Sequence, residues 1–177
     1  GHMEAVGYDM YLKMLEQAVS EEKGEAPPAL EKECLIDLPI DAHIPADYIE
    51  NVPHKLKMYR RIADIKNQDD ADDVIDELID RFGEPPACVM GLITVSLLRN
   101  SALSQGVYEI GRTGNNVRLY IESLQMEKIS LLAKYMPGRI TVSAAGKPHI
   151  AVKVNIGEDQ LTIIRKALDI MSKTDSE

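Results

Sequence analysis

Residues 68–86 read QDDADDVIDELIDRFGEPP, and helical period, stop signal and charge bias coincide in this one stretch. At about 100° per residue, Val74, Ile75, Leu78, Ile79 and Phe82 gather on one side, the stripe by which an amphipathic helix packs on a core. Asp73, Glu77, Asp80 and Glu84 gather on the opposite side. Acids from Asp70 to Asp73 suit the positive end of a helix dipole, with Asp69 or Asp70 expected as the N-cap. Gly83 followed by Pro85 and Pro86 supplies the stop. Beyond the first turn the dipole no longer accounts for the acids. Carboxylates three or four residues apart repel by roughly 0.2–0.5 kcal/mol per pair, and only Arg81 interrupts the run through Glu77, Asp80 and Glu84. Such a face is either solvated or a docking surface for a basic partner.

The helix before it has the opposite charge. His54, Lys55, Lys57, Arg60, Arg61 and Lys66 accompany a buried side of Leu56, Tyr59, Ile62 or Ala63, and Ile65, with Pro53 in the first turn. Two helices with so short a connection form a hairpin, and part of the acidic face is then neutralised internally. Lys55, Lys57, Arg60 and Arg61 are also the candidate phosphate contacts, although no base-reading motif accompanies them.

Working outward, about Gly7 to Glu22 has helical spacing through Tyr8, Tyr11, Leu12, Leu15, Ala18 and Val19, and Lys23 to Pro28 forms a linker. Cys34, Ile36, Leu38 and Ile40 alternate as in a strand, and Pro39 places it at a sheet edge. Pro45 to Ile49 reads as a turn. Pro86 to Asn100 is apolar nearly all round and reads as a central buried helix. After Gly106 the period switches to two in Val107–Glu109 and Asn116–Ile121, a hairpin whose turn is expected over Gly111 to Asn116. A helix over Leu124–Tyr135 follows, on Met126, Ile129, Leu132 and Ala133. Arg139–Ser143 and His149–Val154 form a second hairpin, and Glu158–Met171 a last helix on Leu161, Ile164, Leu168 and Met171, with fraying beyond Ser172. The class is therefore α+β, a helical N-terminal half followed by a small, mainly antiparallel sheet of two hairpins, β-β-α-β-β-α, covered by helices.

With 177 residues, 20 Lys and Arg against 29 Asp and Glu, and a net charge of −9, the surface as a whole does not favour nucleic acid or an anionic membrane. Aromatics are one Phe, seven Tyr and no Trp, a thin supply for stacking bases. Cys34 and Cys88 read as two buried reduced thiols, which fits a cytoplasmic protein. The longest apolar stretch, Ala87 to Leu98, is too short to span a bilayer, and no signal peptide is expected. Residues 1–3, Gly-His-Met, read equally as native or as the remnant of a tag.

The chemistry of an enzyme is not assembled by spacing. The only Gly-Lys outside the linker is followed by Pro148, so no phosphate-cradling loop forms. His2, His43, His54 and His149 stand at no metal-ligand spacing with one another or with the cysteines. Neither a catalytic site nor a metal or cofactor is expected in this chain.

GHMEAVGYDMYLKMLEQAV, ECLIDLPIDAHIPADYI, KLKMYRRIA and above all DELIDRFGEPP together resemble the C-terminal domain of the bacterial transcription-repair coupling factors, over nearly the whole chain and in the same order. The resemblance implies that residues 1–30 are a helix and linker joining to an upstream motor, and 31–177 a regulatory C-terminal domain. The complete family protein is an ATP-driven translocase on double-stranded DNA. It displaces stalled RNA polymerase and recruits the excision-repair protein UvrA, with ATP and Mg held in the motor. The domain is implied to dock on a UvrB-like module of the same protein, to mask the surface that UvrA recognises and to restrain the motor, without chemistry of its own. The docking contact falls on Glu77 and Asp80, with Asp73 and Glu84 sharing the face. Two other readings stand beside it: a freestanding adaptor for an unrelated basic protein, and a nucleic-acid contact through the basic helix 54–66.

Overall fold

A computed structural model describes residues 33–174. The helix expected at 7–22, its linker and the last three residues lie outside the described part. Five strands and five helices follow in the order β1 (Leu35–Asp37), α1 (Val52–Ala63), α2 (Gln68–Phe82), α3 (Ala87–Ser104), β2 (Val107–Thr113), β3 (Asn116–Ile121), α4 (Met126–Tyr135), β4 (Ile140–Ser143), β5 (His149–Lys153) and α5 (Gln160–Ser172). The α+β class and the β-β-α-β-β-α order of the second half are as expected. The chain divides into two compact units, one formed by Pro39–Leu97 and the other by the segment ending at Leu38 together with everything from Leu98 onward.

The first unit is helical. Asn51 caps α1 by accepting from the His54 amide at 3.0 Å, and Arg60 and Arg61 occupy its last turn, where cations suit the negative end of the dipole. Met58, Tyr59 and Ile62 form its buried stripe, with Ile65 buried just beyond; Met58 takes the place expected of Leu56, which is half-buried. The buried Tyr59 hydroxyl accepts from the Ile44 amide at 2.9 Å and pins the 39–50 segment to α1. That segment also bonds to the start of α3, where the His43 amide donates to the Cys88 carbonyl. Gly91 fits there because a Cβ would stand 3.2 Å from the Asp41 carbonyl oxygen.

In α3, Val89, Leu92, Ile93, Val95, Leu98 and Ala102 are buried. The helix runs 18 residues, longer than the apolar stretch that indicated it, and by length and composition it is long and apolar enough to cross a membrane. Its buried positions are equally those of a core helix. The boundary between the units falls within it, at Leu97 and Leu98.

The second unit is a five-stranded sheet in the order β1-β2-β3-β5-β4. Both hairpins form, and β3 and β5 join them antiparallel. β1 sits at the edge, as expected, although it ends at Asp37 before Pro39 is reached, and it pairs in parallel with β2, Ile36 opposite Ile110. The first hairpin turn is tighter than expected. Gly111, Arg112 and Thr113 belong to β2, and only Gly114 and Asn115 turn, with Gly114 at φ +59°, as two-residue hairpins demand of their loop. Ile36, Ile110, Leu119 and Ile150 share the core face. Helix α5 packs on β5, and α4 packs on α5. Asp159 caps α5, accepting from Thr162 at 3.0 Å.

Helix α4 departs from its expected phase. Met126 is 72% exposed, whereas Lys128 is only 5% exposed. The long aliphatic stem of lysine tolerates burial, and its ammonium donates to the buried Gln105 Oε1 at 2.7 Å. In α5 the buried set is wider than Ile164, Leu168 and Met171, adding Ile163, Ala167 and Ile170, while Leu161 is half-buried.

Candidate docking face

Helix α2 is set up from both ends. Its N-cap is Asn67, not an aspartate: the Asn67 side-chain Oδ1 accepts from the Asp70 amide at 2.8 Å, and the Asp70 carboxylate accepts from the Lys66 amide at 3.0 Å. The first bond satisfies an amide that a helix start leaves without a partner, and the second ties the residue before the cap to the first turn. At the other end Gly83 adopts φ +89° and the Tyr48 hydroxyl donates to its carbonyl at 2.7 Å. Burial, and then the charge of Glu84, push the Tyr48 phenol above its ordinary pKa. The Phe82 ring stands 6.1 Å from Tyr48 and 6.4 Å from His54, with the Arg81 guanidinium 4.9 Å above it.

Between these anchors Ala71, Val74 and Leu78 are buried. Ile79, expected in that stripe, is 42% exposed. The reason is angular: in 100° steps Ile79 lies about 100° round from Leu78 and only about 60° from Asp76.

Of the four acids expected to share a docking face, Asp73, Asp80 and Glu84 are exposed. Glu77 lies on the flank nearer Val74, and its carboxylate is already held. Arg61 of α1 donates to Oε1 at 2.6 Å, and Arg81 donates to Oε2 at 3.3 Å; the Glu77 side chain keeps 25% of its exposure. The internal neutralisation expected of the helix pair thus falls on one residue. Asp72 and Asp76, which the sequence reading did not single out, are also exposed, Asp72 accepting from Gln68 at 2.9 Å. Their signal was available in the same 100° arithmetic, in which they fall between Ile79 and Asp80. The solvent side of α2 is therefore an arc of Asp72, Asp76, Asp80 and Asp73, with the exposed Ile79 at one end of it.

The four candidate phosphate contacts do not form one patch. Arg61 is committed to Glu77. Lys57 and Arg60 are exposed, and Lys55 is half-buried, falling in angle between Met58 and Tyr59 on the other side of α1.

Among the described residues no group of three or more His, Cys, Asp or Glu side chains is placed to hold a metal ion. A groove of about 440 Å³ in the second unit is lined by Ser101, Ser104, Arg165, Lys166, Asp169 and Ser172, among others. The Ser104 and Ser172 hydroxyls donate to carbonyls of their own helices, so neither is paired with a general base. What α2 presents to solvent is a row of exposed carboxylates and one exposed apolar side chain, Ile79.

Comparison with known proteins gives a coherent picture. Residues 38–132 match the family model of the TRCF domain. A transcription-repair-coupling factor of Staphylococcus aureus (strain USA300) is 30% identical over 164 residues, which is 92% of this chain and 13% of the relative. That of Staphylococcus haemolyticus is 34% identical over 133 residues, 73% of this chain and 11% of the relative. The chain thus spans about an eighth of the length of the curated relatives it matches. The crystal structure of a C-terminal domain of transcription-repair coupling factor superposes with a TM-score of 0.67 over 82% of this chain and 99% of that one, at 23% identity, a likeness of fold.

Proposed function

The chain belongs to the transcription-repair-coupling factor family, as a member of its TRCF-domain family, and from that premise we propose that it serves as a regulatory lid within a much longer DNA-repair translocase. In this reading α2 docks on the UvrB-like module of the same protein. There it masks the surface that UvrA recognises and restrains the motor. ATP, Mg and double-stranded DNA are handled upstream, and this chain contributes binding.

The observation that carries the proposal is the exposed arc of Asp72, Asp73, Asp76 and Asp80 on a helix fixed at both ends. A helix optimised only for its own stability would break that arc with Lys. Glu84 extends the face past the helix end. Asp80 meets the partner directly in this scheme. Glu77 reaches it only by releasing Arg61, so its part in docking is an exchange of one cation for another. A restraint of this kind needs little energy, because tenfold in population corresponds to about 1.4 kcal/mol.

Titration calorimetry of the chain against the separately produced UvrB-like module, at low and moderate salt, tests the proposal. Saturable binding that Asp80→Lys abolishes and Glu77→Gln weakens only in part is expected. Binding indifferent to Asp80→Lys would remove the acidic helix from the contact.

A further inference from the structure

The net charge of −9 conceals a partition. Residues 39–97 carry 6 Lys and Arg against 12 Asp and Glu, and residues 98–174 carry 11 against 6. The excess of cations belongs to the unit that holds the sheet.

Alternation along the strands fixes what the sheet shows on the side away from its core. In β3 the buried Val117, Leu119 and Ile121 alternate with Asn116, Arg118 and Tyr120. Tyr120 stands opposite Glu109 of β2 and His149 of β5, Arg118 opposite Gly111 and Ala151, and Asn116 opposite Thr113 and Lys153. Thr141 and Ser143 of β4 extend the same face. Arg118, half-buried, therefore has the two smallest residues of the face as its cross-strand neighbours. The Tyr120 ring lies within van der Waals reach of a Cβ placed on Gly111, at 3.8 Å, so that glycine lets the ring lie close to the sheet. The His149 ring is 5.3 Å from it. Lys147, on the β4–β5 turn, is 4.5 Å above Tyr120 and 5.9 Å above Tyr108. The acids on this face are Glu109, which accepts from Lys147 at 2.9 Å, and Asp37 on the edge strand. Arg118 and Lys153 enter no ion pair among the described residues.

From this juxtaposition of cations and rings on one sheet face we propose that the face built by Arg118, Tyr120, His149, Lys147 and Lys153 binds single-stranded nucleic acid. Phosphates take Arg118 and Lys153, and a phosphate that draws Lys147 away from Glu109 bares the Tyr120 ring for a base. Charge complementarity selects a polyanion, and rings interleaved with cations on a pleated surface select nucleic acid over an acidic protein, since every base has a face to stack. The site is distinct from the basic helix α1, where Lys57 and Arg60 are exposed and Arg61 is held by Glu77. It is also independent of the acidic helix and of the docking role assigned to it.

The test is fluorescence anisotropy of the whole chain with a labelled oligothymidylate of about 16 nucleotides, a length within the range of single-strand sites, over a series of salt concentrations. Binding that weakens steeply with salt is expected, and Arg118→Ala/Lys153→Ala should lower affinity at least tenfold at low salt. Two lost phosphate contacts should also flatten the slope of log K against log salt by about 1.4. Tyr120→Leu should lower affinity several-fold with the slope unchanged, the separation of stacking from charge. Circular dichroism of each variant establishes that the sheet is intact. The proposal fails if no binding is seen at low salt, or if duplex DNA or polyglutamate of equal charge competes as well as the oligonucleotide. It fails equally if affinity is lost through Lys57→Ala/Arg60→Ala and not through the sheet variants.

Discussion

Replacing Asp80 by alanine should stabilise the isolated chain, while the same change at Glu77 should not. Asp80 is exposed and has carboxylates at Asp76, Glu77 and Glu84, three or four residues away. Each such pair repels by roughly 0.2–0.5 kcal/mol, and alanine is also the better helix former. Glu84 lies past the helix end and Glu77 is held by two arginines, so only the pair with Asp76 counts in full, and with the propensity gain Asp80→Ala is worth about 0.5–1 kcal/mol of added stability at low salt. Glu77 also sits among acids, Asp73 and Asp80, but it holds Arg61 and Arg81. The Arg61 pair, with both side chains partly exposed, contributes about 0.5–1 kcal/mol, and the pair with Arg81 about 0.3–0.5. Those losses offset the relief of repulsion and leave Glu77→Ala near zero. Urea denaturation at low ionic strength measures the difference as a shift in midpoint at constant m. A double-mutant cycle with Arg61→Ala should give a coupling of about 0.5–1 kcal/mol to Glu77 and none to Asp80. At about 1 M salt, where the screening length falls to roughly 3 Å, the gain at Asp80 should shrink to its helix-propensity part. If Glu77→Ala stabilises as much as Asp80→Ala, or the Arg61 coupling is absent, the two acids are equivalent and the assignment of Glu77 to an internal bridge is wrong.

Tyr59→Phe removes the acceptor of the buried Ile44 amide and should destabilise by about 1–3 kcal/mol, read as a lowered urea midpoint without loss of helix. Gln105→Leu takes a 2.7 Å acceptor from the buried Lys128 ammonium and should cost about 2–4 kcal/mol. Lys128→Met/Gln105→Leu, which removes both polar partners, should recover most of that loss on thermal denaturation. Arg139, by a side-chain hydrogen bond, and the Asn155 amide hold the Glu158 carboxyl below its ordinary pKa. The stability this linkage confers is fully present above the ordinary glutamate range, about pH 4.3, and is lost as pH falls from there through the lowered value. Glu158→Gln should therefore flatten the acid limb of the stability curve below about pH 4.3, measured as urea midpoints against pH, and leave the neutral region unchanged in slope.

The sheet half was legible because period two and glycine turns act locally: each strand of both hairpins appears in Val107–Thr113, Asn116–Ile121, Ile140–Ser143 and His149–Lys153. The parallel pairing of Leu35–Asp37 with β2 was not, since it joins segments far apart in the chain and no local pattern encodes a partner. Spacing also misplaced Met126 and Lys128, because the phase of a ten-residue helix is set by the chain entering it, and only the fold brings Gln105 to a lysine. Likewise the cap is Asn67, two or three backbone positions before the aspartates expected in that place. On α2 the acidic bias was plain, yet which acid is occupied depended on Arg61 arriving from another helix. The relation of α2 to any partner is a property of two surfaces, of which this chain holds one.

The placement of β1 bears on how the chain is made. Leu35–Asp37 belongs to the sheet unit, but Pro39–Leu97, the described part of the other unit, lies between it and the strand it pairs with. During synthesis from the N-terminus the helical unit is complete while β1 still lacks its neighbour. At about 5–20 residues per second, the interval from the end of β1 until β2 is finished is roughly 4–15 s. A nascent strand with a buried-type Ile36 waits through it beside a folded domain. Cutting the chain at the unit boundary to produce the sheet half alone would likewise discard that edge and leave β2 open to pairing with another molecule, so the two halves are inseparable at the level of the gene.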